Sequence, residues 1–164
     1  MAEMDSRTTP IGAVADRLKQ LGIELPPAPK PVAAYIPAQR TGNLVYTAGQ
    51  IPFKDGELIA TGPVPSKVAL EEAQAAARQC GLNAIAILAD QLDGNLDRVK
   101  QIVRLGVFVC SDPGFTDQPK VANGASELFG EVFGEKGRHA RAAVGSVGLP
   151  LGATVEVEVI AEVE

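Results

Sequence analysis

Three charged side chains stand within two otherwise small and apolar segments in the last third of the chain. Arg141 stands at the start of a run of alanine, valine, glycine and serine residues, and Glu156 and Glu158 lie within the Val-rich final segment. A guanidinium group can hold a carboxylate through two parallel hydrogen bonds, and a neighbouring carboxylate can orient or deprotonate a water molecule. The alternative is a surface ion pair between Arg141 and Glu156 or Glu158 across adjacent antiparallel strands. The pattern alone favours the ion pair.

Histidine, cysteine and glycine residues indicate little further chemistry. His139 is the only histidine and follows Arg138 in a predicted polar turn, where a solvated residue is commoner than a catalytic base, so we expect no serine–histidine chemistry. Cys110 lies on an apolar predicted strand, far in sequence from Cys80. Both thiols are expected to be buried and reduced, without a zinc site. None of the 17 glycines belongs to a phosphate-binding motif.

A short helix and an extended connector are predicted at the N-terminus. The Thr-Pro pair at 9–10 suits the N-cap and first helical position, apolar residues then recur at helical spacing, and Gly22 suits the helix end. Four prolines within residues 24–31 exclude regular helix there. The predicted organisation is a helix and connector over residues 1–28 and a single domain over residues 29–164.

The next segment predicts a hairpin, a turn and a long helix. Strand-forming residues over 32–52, interrupted by a Thr-Gly-Asn turn at 41–43, predict two antiparallel strands, and residues 54–56 form a second turn signal. An Ala-rich segment from residue 67 to about residue 92 predicts the major helix, with Ser66 as its cap. The alanine stripe of this helix suits close packing on a sheet.

A long strand is predicted over residues 99–111 because the segment is rich in β-branched residues. Its predicted faces are Val103, Leu105, Val107 and Val109 on one side and Ile102, Phe108 and Cys110 on the other. Because both faces are apolar, we expect the strand to be covered on both sides. A second sheet-packing helix ending at Gly134 and two further strands complete a two-layer α+β sandwich.

Composition and charge exclude two classes of partner. The 164 residues include 15 Lys and Arg against 20 Asp and Glu, a net charge of -5, and five Phe and two Tyr without Trp. Nucleic acid binding needs clustered positive charge and aromatic platforms, so no nucleic acid partner is expected. No apolar run approaches the roughly 20 residues of a membrane span, and the N-terminus lacks an apolar signal core. We therefore expect a cytoplasmic protein without a membrane partner.

Several short motifs, in their order and spacing, resemble the RidA family, also called YjgF/YER057c/UK114. The motifs are Tyr35, Leu-Val-Tyr-Thr-Ala-Gly-Gln-Ile-Pro at 44–52, Ala-Arg-Ala at 140–142, Leu-Pro at 149–150 and Val-Glu-Val-Glu at 155–158. The resemblance extends from about Val32 to Val163, and the N-terminal extension is similar to that of a subgroup of longer members.

The resemblance implies a chorismate-mutase-like fold, a mixed sheet with two helices on one face, assembled as a homotrimer with three clefts between subunits. It implies hydrolysis of reactive 2-enamines or 2-imines to 2-oxo acids and ammonia, without metal or cofactor. By position, the catalytic candidates are Arg141, which would bind the carboxylate of a small substrate, and Glu156, which would orient the attacking water. The other candidates for the cleft are Gly49, through its backbone N–H, Tyr35 of a neighbouring subunit, Phe108 and Asn123.

Two positions depart from the family pattern. Ala48 stands where many imine-hydrolysing members have serine, and Ala143 stands where they often have cysteine. Both changes remove polar groups from the expected cleft, so the alternative function is a trimer that binds a small carboxylate metabolite without turnover. The endoribonuclease and translation-inhibitor activities ascribed to some relatives are less expected for an acidic chain with few aromatic residues.

Overall fold

A five-stranded sheet with helices against one face forms the core of the molecule. The computed structural model describes residues 11–30 and 34–164. The helices are α1 (Ala13–Gln20), α2 (Leu70–Gln91) and α3 (Gln118–Phe133). The strands are β1 (Ala38–Thr41), β2 (Leu44–Thr47), β3 (Phe53–Lys54), β4 (Glu57–Leu58), β5 (Val99–Cys110), β6 (Ala140–Ser146) and β7 (Val155–Val163).

The sheet is mixed and places the last strand of the chain at its centre. The strand order is β1-β2-β7-β5-β6, and β3 pairs with β4 in a separate hairpin. β7 is antiparallel to both β2 and β5, whereas β6 lies parallel to β5 at the sheet edge. This arrangement confirms the predicted two-layer α+β sandwich with a mixed sheet.

The two faces of the sheet differ in character. Along β7 the residues alternate as predicted: Val155, Val157 and Val159 are buried toward α2, and Glu156 and Glu158 are half-exposed on the opposite face, which we call the open face. On the helix side α2 and α3 pack closely, because Gly81 of α2 has no side chain. A Cβ atom there would lie 3.0 Å from a methyl group of Leu128 in α3.

The long helix begins later than predicted. α2 starts at Leu70, and the backbone N–H of its N-cap residue Ala69 donates to the Glu72 carboxylate at 3.0 Å. Ser66 does not cap this helix. Its backbone N–H and its hydroxyl donate to the two carboxylate oxygens of Asp112, at 2.8 and 2.9 Å, so Ser66 ties the preceding loop to the end of β5 instead.

Strand β5 has nearly the predicted length but a different phase at its start. β-bulges between Val99 and Gln101 and between Ile102 and Arg104 change which residues face the helices. Ile102 is therefore buried on the helix side, and Val103 is 38% exposed, contrary to the predicted faces. Beyond the bulges, Leu105 and the following alternate residues face the helices as expected.

The hairpin and both turns occur where predicted, although the first strand is shorter. β1 begins at Ala38, and its turn to β2 places Gly42 at a positive φ of 56°. The turn at 54–56 joins β3 to β4, with Asp55 and Gly56 both in the left-handed region, as expected for a tight hairpin. This short hairpin follows β2 in the chain, after the segment 48–52.

The N-terminal helix packs against the rest of the molecule. The predicted start at 9–10 lies outside the described residues, and α1 begins at Ala13 and is followed by Gly22 at a positive φ of 67°, confirming the predicted end. The carboxylate of Asp97 accepts from the backbone N–H groups of Ala13 and Val14, each at 2.8 Å. Leu18 of α1 is buried in the same apolar core as the sheet.

Among the described residues, every helix is either too short or too polar to cross a membrane.

Candidate functional site

A cavity of about 350 Å³ lies beside the Glu156 side chain, near the start of β7. It brings together Tyr35, Gly49 and Glu156, three of the residues that the family resemblance indicates. The complete lining is Pro29, Lys30, Tyr35, Pro37, Gly49, Gln50, Ile51, Phe53, Asn83, Pro150, Leu151 and Glu156. Within the chain, Tyr35 therefore lines the same cavity as Gly49 and Glu156. The lining is largely apolar, with one carboxylate in it.

Backbone pairing fixes Gly49 against the Glu156 carboxylate. The neighbouring Gln50 donates its N–H to the carbonyl of Val157 at 2.8 Å and accepts from the N–H of Val157 at 2.9 Å. This pairing continues the sheet past the end of β2 and holds the 48–50 segment beside β7. A side chain at position 49 would overlap the Glu156 carboxylate, with its Cβ 2.8 Å from Cδ. Glycine is therefore required for this close approach.

Burial changes the acidity of Glu156. Loss of hydration raises the pKa of its carboxyl, and the negative charge of Glu158 on the same strand raises it further. Glu158 itself lies 3.6 Å from the guanidinium of Arg104, in a half-exposed ion pair. A carboxyl group of raised pKa in a cavity is suited to accept a proton from a bound water and to return it.

Two buried amide side chains that sequence reasoning missed support the cavity wall. Gln50 Nε2 donates to the carbonyls of Ala48 and Gly49, at 3.1 and 3.2 Å. Asn83 of α2 donates to the carbonyls of Ile51 and Phe53, at 3.2 and 3.0 Å. The available signal was an asparagine at a buried position in an otherwise Ala-rich and apolar helix. These bonds fix the loop between β2 and β3 without a charged group.

Arg141 lies on the opposite side of the sheet from Glu156. Its Cα pairs with that of Leu105, so its side chain projects on the helix side of β6, whereas Glu156 pairs with Phe108 on the open face. β6 and β7 are separated by β5. The predicted ion pair between Arg141 and Glu156 or Glu158 on adjacent antiparallel strands is therefore wrong.

A polar cluster on the helix side holds the Arg141 guanidinium. Nη1 donates to Asn123 Oδ1 at 2.8 Å and to Ser126 Oγ at 3.0 Å, and Nη2 donates to the carbonyl of Pro119 at 3.0 Å. The structure thus brings Arg141 and Asn123 together, as the resemblance indicates. Ala143 follows on the same face of β6 and is half-buried.

His139 belongs to this cluster, which corrects its interpretation as a solvated residue. Its Nε2 lies 2.9 Å from Ser126 Oγ, and its Nδ1 lies 2.6 Å from the carbonyl of Gly137. The ring also contacts Phe129 edge to face, with centroids 6.2 Å apart. The contact between Ser126 and His139 was not predictable, because the two residues are 13 positions apart in the sequence and the end of α3 lies between them.

The remaining candidates, Phe108 and Ala48, lie outside the lining of the cavity. Phe108 is half-buried on the open face, where it pairs with Glu156 of the adjacent strand. The Ala48 N–H donates to the Pro37 carbonyl at 2.8 Å beside the cavity.

Cys80 and Cys110 are buried free thiols, and burial raises the pKa of each. Within residues 11–30 and 34–164, no three His, Cys, Asp or Glu side chains converge to hold a metal ion.

Comparison with known proteins gives consistent matches over nearly the whole chain. Residues 15–163 match the family described as "YjgF/chorismate mutase-like, putative endoribonuclease". Protein TCP17 of Trypanosoma cruzi is 47% identical over 92% of this chain and 94% of its own length. A 2-iminobutanoate/2-iminopropanoate deaminase of Dermatophagoides farinae is 29% identical over 87% of this chain and 95% of its own length.

Solved structures share the fold. The crystal structure of a "putative endoribonuclease" from Shewanella oneidensis MR-1 superposes with a TM-score of 0.88 and is 36% identical, covering 93% of this chain and 100% of that one. The fold match and the family match over residues 15–163 agree with each other. The chain belongs to the YjgF/chorismate mutase-like family, which is the RidA family.

Proposed function

We propose that the protein hydrolyses reactive 2-imino acids, and the 2-enamines in equilibrium with them, to 2-oxo acids and ammonia. The observation that carries the proposal is the Glu156 carboxyl, of raised pKa, packed against the Gly49 backbone in a cavity of about 350 Å³. A cavity of this volume suits a small metabolite. The related deaminase of Dermatophagoides farinae, named for 2-iminobutanoate and 2-iminopropanoate, supports the substrate class.

The chemistry requires one positioned water and one group that exchanges protons. Water adds to the carbon of the protonated imine while the Glu156 carboxylate takes one of the water protons, which gives a neutral carbinolamine. The carboxylic acid then returns the proton to the amine nitrogen. The C–N bond breaks while the Glu156 carboxylate takes the proton of the carbinolamine hydroxyl, so that ammonia leaves as the 2-oxo acid forms. Proton transfer of this kind contributes about 10²–10⁴-fold, provided that the carboxyl lies within hydrogen-bond reach of the water.

In the proposed complete site, two copies of the chain contribute. Tyr35, Gly49 and Glu156 line the cavity of one copy, whereas Arg141 and Asn123 lie on the helix side of the edge strand β6. An edge strand is free to approach a neighbouring molecule. We place Arg141 of a second copy at the mouth of the cavity, where its guanidinium would hold the substrate carboxylate in a homotrimer.

The proposal is tested by direct measurement of turnover. An amino-acid oxidase generates 2-imino acids in solution, semicarbazide traps them, and the rate of semicarbazone formation is followed with and without the protein. We expect the protein to lower this rate at catalytic concentration and to yield the corresponding 2-oxo acid. An unchanged rate across imines of several side-chain sizes would reject the hydrolase.

The second candidate is a trimer that binds a small carboxylate metabolite without turnover. The largely apolar lining and the alanine at position 48 favour it, because position 48 has no hydroxyl to hold a substrate or a water beside Gly49. Such a protein would bind 2-oxo acids by calorimetry while leaving semicarbazone formation unchanged.

A further inference from the structure

We propose that Ser126 and His139 are positioning residues that orient the Arg141 guanidinium toward a single carboxylate. This inference rests on the proposed role of Arg141 as the carboxylate anchor and names the groups that prepare it. The ligand class is a small acid with one planar carboxylate, held by one edge of the guanidinium. A chain of hydrogen bonds runs from the Gly137 carbonyl through His139 and Ser126 to Arg141.

The Gly137 carbonyl fixes the position of the proton on the neutral His139 ring. A backbone carbonyl only accepts hydrogen bonds, so the 2.6 Å contact between Nδ1 and the Gly137 carbonyl requires a proton on Nδ1. In the neutral ring, Nε2 then carries the lone pair. The Ser126 hydroxyl, 2.9 Å away, must therefore donate its proton to Nε2. The Gly137 carbonyl thus selects the tautomer of His139.

The Ser126 hydroxyl connects His139 to Arg141. Because its only proton points to His139, its oxygen lone pairs are available to the Arg141 Nη1 group at 3.0 Å. Without an acceptor at His139, the hydroxyl would be free to rotate and present its proton toward the cation. His139 therefore acts on Arg141 through Ser126, and never needs to touch a ligand.

The Arg141 guanidinium makes three hydrogen bonds within the protein. A guanidinium has five N–H groups. Asn123 and Ser126 use both hydrogens of Nη1, and the Pro119 carbonyl uses one hydrogen of Nη2. Among the described residues, Nε and the second Nη2 hydrogen have no hydrogen-bonded partner in the protein. These two donors can form the parallel pair that a carboxylate accepts.

The proposed arrangement favours one carboxylate over isosteric neutral groups. A primary amide offers one acceptor oxygen and an NH2 group that only donates, so it fits two parallel N–H groups poorly. The discriminating measurement is therefore the ratio of affinities for pyruvate and pyruvamide, which differ only in this group. A merely structural role of Ser126 or His139 would lower both affinities together and leave the ratio unchanged.

The binding experiment uses the full-length protein and calorimetric titration with each probe. We expect Ser126→Ala and His139→Leu to lower the ratio about three- to tenfold, as expected for the loss of one hydrogen bond. His139→Gln keeps an acceptor oxygen for Ser126 and should restore most of the ratio. Ser146→Ala is the matched control, because the Ser146 hydroxyl donates to the Gly148 carbonyl at the far end of β6.

A second measurement reports the tautomer directly. The chain has one histidine, so the ¹⁵N resonances of its ring need no assignment by mutation. We expect the Nδ1–H tautomer for the neutral ring in the native protein and a larger Nε2–H fraction in Ser126→Ala. A native ring that is mainly Nε2–H would overturn the inference even if a variant failed to fold.

The outcomes separate this inference from the proposed function. If Arg141→Lys lowers the pyruvate preference and Ser126→Ala leaves it intact, the positioning role is rejected and the anchor role stands. If native protein shows no preference for pyruvate, or Arg141→Lys leaves that preference unchanged, the anchor role fails and the positioning role fails with it.

Discussion

Burial of the Glu156 carboxyl determines how the proposed reaction should depend on pH. Hydrolysis needs the carboxylate form, and both burial and the Glu158 charge raise the pKa at which that form appears. We expect turnover to rise with pH through this raised pKa. Glu158→Gln removes one of the two causes, so it should move the rise to lower pH in a profile of kcat. A profile that does not move would assign the pKa to another group.

The glutamine variant of Glu156 separates catalysis from folding. Glu156→Gln preserves the shape of the side chain, but an amide does not take a proton from water at neutral pH, so we expect imine hydrolysis to fall by about 10²–10⁴-fold. Circular dichroism should show an unchanged fold. Turnover at the native rate in this variant would remove Glu156 from the mechanism.

The same residue links stability to pH. The unfolded chain releases the Glu156 proton at the ordinary pKa of a glutamate side chain, whereas the raised pKa in the folded state holds the proton to higher pH. Between these two values the folded state binds more protons, so its stability falls as pH rises. The melting temperature of the native protein minus that of Glu156→Gln should therefore decrease from pH 4 through the raised pKa, measured by thermal denaturation. A constant difference would contradict the shifted pKa.

Gly49 is expected to tolerate no side chain without loss of the site. In Gly49→Ala the new methyl group must displace the Glu156 carboxylate that packs against it. We expect little residual hydrolysis in a folded protein, measured with the semicarbazone assay. The matched control is Gly130→Ala on α3, where open space surrounds the position and the native rate should persist. Equal rates in the two variants would mean that the close approach is unimportant.

Single residues of the site differ in how far the sequence reveals them. Glu156, Gly49 and Tyr35 stand in motifs that carry the family pattern, and the cavity contains all three. The Ser126–His139 contact depends on how α3 packs beside β6, which no local pattern encodes. A lone histidine in a turn therefore gave no signal.

The N-terminal helix is held by a side chain from a distant segment. Asp97 accepts from two free N–H groups at the start of α1, and a negative charge at a helix N-terminus is favourable. Asp97→Ala should therefore destabilise the docking of α1 by about 1 kcal/mol. Hydrogen exchange at Ala13 and Val14 should become faster, while Glu127→Ala, which removes an exposed carboxylate from α3, should leave it unchanged. Unchanged exchange in Asp97→Ala would show that apolar packing alone holds the helix.

Helices and strands were predictable where one physical signal dominates. Strand alternation located β7, and glycine located the ends of α1 and α3. Prediction failed where a distant partner competes with the local signal. Serine is a favourable helix N-cap, yet the Ser66 hydroxyl donates to Asp112 instead. The bulges in β5 change which residues face the helices, and the residue types of this strand give no sign of the bulges.

The open face of the sheet predicts self-association. Tyr46, Phe108, Val144 and Ile160 present apolar side chains there, and Tyr46 and Val144 are 42% and 46% exposed. Burial of such a face against further copies is favourable, and cyclic symmetry closes the assembly. We expect a homotrimer, so static light scattering at micromolar concentration should give three times the 17.1 kDa of one chain. A monomer mass would also exclude the proposed shared site.

The placement of Arg141 and Glu156 on opposite faces of one sheet has a genetic consequence. Arg141→Lys leaves Glu156 intact and Glu156→Gln leaves Arg141 intact, so two defective alleles can complement each other when their products assemble together. In trimers formed at random from equal amounts, about a quarter of the clefts would combine both native residues. Co-expression should therefore restore activity that neither variant has alone, whereas a cleft built within one chain would show no complementation.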